Sequence, residues 1–123
     1  MSATRVCLEE ELPDGRMWLA EVAGREIGVY RRNGGYVAYE NKCPHQGGPA
    51  CEGVLMPAVK DIVGAGGVYQ GQEWDRADMH IVCPWHGYEF RLEDGCHVAR
   101  PEVGLRRFEA YVRDGVVYVV VDR

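Results

Sequence analysis

Short runs rich in β-branched and aromatic residues alternate with turn-forming residues along this chain. Arg5–Leu8 and Met17–Val22 read as strands, and so do Glu26–Arg32 and Tyr36–Tyr39. The last two flank Asn33-Gly34, a dipeptide that readily takes the positive φ angles of a tight hairpin. Phe108–Val112 and Val116–Val121 flank Asp114-Gly115 and read the same way. No long stretch shows helical periodicity with capping residues. The pattern therefore predicts an all-β domain, an antiparallel sandwich or barrel. Between residues 54 and 76 the chain is too long for one tight connection. A strand or two is expected there with an extended glycine-rich excursion, making an enlarged loop region at about residues 56–78.

At 123 residues the chain is read as a single domain over 1–123. A domain of this size buries roughly two-thirds of the surface its unfolded chain exposes. With 46% hydrophobic and 27% charged residues, the composition is that of a soluble globular protein. Formal net charge is −5, and the one dense basic stretch is Arg106-Arg107 near Arg100. That is no footprint for nucleic acid, so no such partner is expected. The N-terminal residues include Glu9-Glu10-Glu11 and lack the apolar segment of a secretion signal. No apolar run reaches the roughly eighteen residues of a membrane span, so a cytoplasmic protein is expected. Five cysteines, an odd number, fit metal ligation better than a disulfide framework.

The chemistry gathers in two short motifs, Cys43-Pro44-His45 and Cys83-Pro84-Trp85-His86-Gly87. Each follows a strand-like run, Tyr36–Tyr39 or His80–Val82, so each sits on a loop at a strand end. Core thiols and surface histidines explain one such set easily and a second, with the same Cys-Pro start, poorly. Two Cys and two His are the donor set of a mixed-ligand [2Fe–2S] centre. They also suit tetrahedral zinc, although Cys-x-His with Cys-x-x-His departs from the usual zinc-finger order. The glycine-rich Ile62–Gly67 stretch lacks the third glycine and the helix of a dinucleotide site.

The two motifs, with their surroundings from Asn41 to Gly53 and Val82 to Arg91, resemble the Rieske family in its soluble ferredoxin form. The resemblance implies that Cys43 and Cys83 hold one iron and His45 and His86 the other, which is the one reduced. It implies that Gly47, Gly48 and Gly87 let backbone amides approach the sulfides, and that Trp85, Tyr88, Phe90 and Pro101 surround the cluster. High-potential respiratory members join their loops by a disulfide; Gly48 and Trp85 stand at those positions here. Those members also have hydroxyls where this chain has Tyr88 and Phe90. Fewer hydrogen bonds to the cluster place the expected potential low in the Rieske range of about −150 to +300 mV. The implied function is one-electron transfer from a flavin-dependent reductase to a terminal aromatic-ring-hydroxylating oxygenase, without catalysis or a small-molecule substrate of its own. The alternative is a tightly bound Rieske subunit of a nitrite- or arsenite-type oxidoreductase. A catalytic oxygenase subunit needs a further iron held by two His and a carboxylate. Only His80 and His97 remain for that, and His80 reads as structural. Cys7, Cys51 and Cys96 read as free thiols, Trp18 as core and Trp74 as surface loop.

Overall fold

The computed structural model describes residues 2–44, 47–85 and 87–121. Among the described residues nine strands run in chain order: β1 Ser2–Leu8, β2 Met17–Val22, β3 Arg25–Arg32, β4 Gly35–Glu40, β5 Val54–Val63, β6 Tyr69–Val82, β7 Glu89–Arg91, β8 Arg107–Arg113 and β9 Val116–Val121. Three single turns of 3-10 helix, at Glu9–Glu11, Ala50–Glu52 and Ala65–Gly67, interrupt them. Six strands form one antiparallel sheet in the order β1-β9-β8-β4-β3-β2; β5, β6 and β7 form a second. The all-β expectation holds.

Turn chemistry explains the larger sheet. Arg32 pairs with Gly35 across Asn33 (φ 51°) and Gly34 (φ 78°), the backbone that a two-residue hairpin needs. Asp114 and Gly115 repeat it between β8 and β9. A third such turn, Ala23-Gly24, joins β2 to β3 with Ala23 at φ 53°.

The second sheet differs from expectation in proportion. The enlarged region at 56–78 is mostly paired strand, and the glycine-rich excursion shrinks to Gly64–Val68. Cross-strand pairs Val59↔Trp74 and Val63↔Tyr69 put β-branched beside aromatic side chains, a favourable combination on a sheet face. Trp74 thus stands on a strand, exposed, and not on a loop. At ~3.3 Å per residue, ten-residue β5 carries the ribbon tip roughly 30 Å from its base.

Two buried clusters hold the fold. One joins Cys7, Leu12, Ile27, Val29, Ala38, Phe108, Val117 and Val119 under the larger sheet, with Trp18 packed at its side. The other gathers Tyr30, Tyr39, Cys43, Cys51, Ile81, Cys83, Phe90 and Leu92 between the two sheets. Cutting a fully buried member such as Ile81 to Ala costs about 2–5 kcal/mol. One polar tie crosses this second core: the Tyr39 hydroxyl on β4 donates to the Leu92 carbonyl just past β7, at 2.5 Å.

Candidate metal centre

The first loop leaves β4 through Asn41, a buried amide. Its nitrogen donates to Glu26 Oε2 (3.1 Å) and Glu52 Oε2 (2.9 Å), while its Oδ1 accepts the Cys51 N–H (2.8 Å). The loop then closes on itself. Cys43 N–H donates to the Gly48 carbonyl at 2.7 Å, and Gly47 N–H to the Cys43 carbonyl at 2.8 Å. The second loop repeats the device, with Cys83 N–H on the Tyr88 carbonyl at 2.8 Å. Cys43 and Cys83 are 3% and 1% exposed.

These two thiols come from separate loops and lie within hydrogen-bonding reach of each other. Burial pushes the Cys83 thiol above its ordinary value, opposed by a hydrogen bond from the Trp85 backbone N–H and assisted by Cys43 beside it. The loops also interlock through their neighbours. A Cβ added at Gly48 would sit 2.7 Å from Cδ2 of the Trp85 ring, so only glycine lets the two loops approach this closely. Trp85 remains 48% exposed at the tip. His45 and His86, the expected imidazole donors, lie outside the described residues.

A third segment closes the side. Residues 98–104 leave from beside β7, where His97 pairs with Phe90, and return where Cys96 pairs with Gly104. The segment borders an open cleft of about 490 Å³ lined by Pro44, Tyr88, His97, Arg100 and Val103. Pro101 is exposed at the head of this segment. Phe90 is fully buried, and Tyr88 is half-buried with its ring 5.1 Å from that of His97.

The remaining candidates fall elsewhere. Cys7 and Cys51 are buried free thiols and Cys96 is a half-buried one. Burial raises the Cys51 thiol to about 11, opposed by a hydrogen bond from Tyr30. His80 is buried between Glu89 (Nδ1 to Oε1, 3.1 Å) and Asp78 (Nε2 to Oδ1, 3.2 Å), a structural setting. The sequence reading missed Asn41 and the contribution of His97; neither forms part of a recognisable motif.

Two buried thiols brought together from separate loops, one of them met by a backbone amide, are donors for a small metal or metal–sulfur group. Fold and site together define an all-β domain that grips such a group between two loops. A family profile described as Rieske [2Fe-2S] domain matches residues 2–109. The chain belongs to that family, and the cluster it carries is a Rieske-type [2Fe–2S] centre.

Among relatives, the chain is 28% identical over 122 residues to the 3-phenylpropionate/cinnamic acid dioxygenase ferredoxin subunit of Photorhabdus laumondii, covering 98% of this chain and 96% of that one. It is 26% identical over 114 residues to the ferredoxin component of the alkene monooxygenase system of Xanthobacter autotrophicus, covering 93% and 77%. It is also 27% identical to human apoptosis-inducing factor 3, but spans only 16% of that protein's length and 93% of its own. The ferredoxin of carbazole 1,9a-dioxygenase from Nocardioides aromaticivorans IC177 shares the fold, with TM-score 0.70, 23% identity, and 99% and 100% coverage. A chain from a complex of reduced oxygenase and oxidized ferredoxin in carbazole 1,9a-dioxygenase superposes with TM-score 0.67 and 26% identity over 95% of this chain and 91% of that one.

Proposed function

We propose that this chain is a one-electron carrier that takes electrons from a flavin-dependent reductase and passes them to a terminal oxygenase. Cys43 and Cys83 hold one iron of its cluster, and His45 and His86 hold the other. The observation that carries this is the meeting of two buried cysteines from separate loops at one tip of the domain. The relatives matched over most of their own length are named as ferredoxin parts of oxygenase systems, which supports an oxygenase as the electron acceptor.

When bound, the cluster supplies a one-electron couple, raised above that of a four-Cys cluster because neutral imidazoles replace two thiolates. The chain's own residues do the rest. The Trp85 amide hydrogen bond favours the thiolate form of Cys83, which is the form that ligates a metal. Buried Phe90 presents no hydroxyl, which keeps the potential low in the family's range. Exposed Trp85 and Pro44 leave the tip open to a docking protein. No helix of the described residues is long and apolar enough to cross a membrane, and a cytoplasmic site of action accords with that.

The test is an absorption spectrum of anaerobically purified protein, an electron spin resonance spectrum after dithionite, and iron and acid-labile sulfur analysis. His45→Ala and His86→Ala should each bleach the protein. A colourless wild type containing zinc overturns the cluster reading. A coloured protein that no flavin reductase reduces, and that passes no electron to an oxygenase, overturns the partner reading.

A further inference from the structure

We infer that His97, which is no cluster ligand, is the positioning residue that clamps the 98–104 segment against the end of the second ligand loop and thereby limits water at the cluster; this rests on the cluster reading above. The backbone N–H groups of Ala99 and Arg100 both donate to His97 Nδ1, at 3.1 Å each. Two donors aimed at one ring nitrogen require it to be an acceptor, so the proton resides on Nε2. The ring is pinned as well. It stands edge-on to Tyr88 (5.1 Å between centroids, 70°) and to Phe90 (5.6 Å, 84°). Its backbone N–H donates to the Val103 carbonyl at 2.8 Å, closing the segment behind it.

His97 therefore joins two pieces of structure and faces a third across the cleft. Its Nδ1 organises the head of the covering segment. Its ring packs on Tyr88, at the end of the second ligand loop. It shares the 490 Å³ cleft with Pro44, between the donors of the first ligand loop. An apolar residue at 97 would leave the two amides without their acceptor, and they would turn outward to water. The segment would loosen, and the cleft it borders would admit more water towards the cluster. Reduction makes the cluster more negative, and nearby water stabilises that state, so added water raises the potential.

Two variants separate the parts. His97→Phe keeps an aromatic ring against Tyr88 and Phe90 and loses the acceptor. His97→Asn loses the ring and keeps a side-chain oxygen able to take the N–H groups two and three residues on. Hydrogen–deuterium exchange over residues 97–104 and the midpoint potential are measured for both. In His97→Phe, exchange should quicken about tenfold, the loss of a net hydrogen bond or so, and the potential should rise. His97→Asn should stay near wild type in both. A His97→Phe protein with wild-type exchange overturns the clamp, and so does faster exchange with an unmoved potential. Should wild-type protein hold no iron, the cluster reading fails alone, because the exchange arm still decides whether His97 orders the segment.

Discussion

Replacing Tyr39 by Phe tests how the cluster-bearing half is fastened to the larger sheet. The Tyr39 ring is fully buried and its hydroxyl donates to the Leu92 carbonyl at 2.5 Å. Phe keeps the ring, and with it the close packing against Gly95, where an added Cβ would lie 2.6 Å from Tyr39 Cε1. What disappears is one donor, and the Leu92 carbonyl is left in a buried site. An orphaned buried acceptor costs about 1–3 kcal/mol. For a domain of this size, each kcal/mol lowers the thermal midpoint by roughly 3–5 °C, so a drop of roughly 3–15 °C is expected. Leu92 follows β7, and its own N–H donates to the Met79 carbonyl on β6 at 2.9 Å, so loosening it reaches the strands that carry Cys83. Visible absorbance and far-ultraviolet circular dichroism, followed together under nitrogen, should fall at one lowered temperature. A midpoint within about 1 °C of wild type would show that this bond ties nothing, and the fastening argument would fail.

Replacing residues 60–73 by Asn-Gly joins the paired Val59 and Trp74 through a two-residue hairpin turn and removes the ribbon tip. Iron content and potential should be unchanged, and loss of iron would show that the ribbon supports the site. Iodoacetamide on native protein should label Cys96 first and spare buried Cys7 and Cys51 until unfolding; mass spectrometry finding Cys51 labelled as fast as Cys96 contradicts the packing. Lys60 donates to Asp78 at 2.9 Å and holds its carboxyl below the ordinary value. A depressed carboxyl adds stability that is complete above its unfolded pKa of about 4 and is lost as pH falls through the lower folded value. The gap in thermal midpoint between wild type and Asp78→Asn should therefore narrow below about pH 4, and a gap that widens there refutes the pairing.

What was legible in the sequence was local. Asn33-Gly34 and Asp114-Gly115 announce their hairpins because the positive φ angles they need are a property of those residues alone. Ala23-Gly24 makes the same turn without the signal, since alanine at positive φ is tolerated only where strand pairing on both sides requires it. Ser2 and Ala3 carry little strand propensity, yet they pair with Val121 and Val120 in a contact between segments far apart in sequence. The ribbon was under-read for a related reason. Lys60, Asp61, Gln72 and Glu73 leave it no buried face over much of its length, so no clear two-residue period marks it.

The two Cys-Pro motifs were visible, but their meeting was not, and the ladder supplies the cause. Val54, just after the first loop, pairs with Val82, just before the second. Gly53 makes this possible, because a Cβ there would lie 1.7 Å from the Val82 carbonyl oxygen. Once that pair forms, Cys43 and Cys83 are held together whatever lies between Met56 and Asp78. An antiparallel hairpin can lengthen at its far end without moving its base. The enlarged 56–78 region is therefore neutral for the cluster. It adds an exposed surface bearing Val59, Val63, Tyr69 and Trp74 on the two long strands of the ribbon.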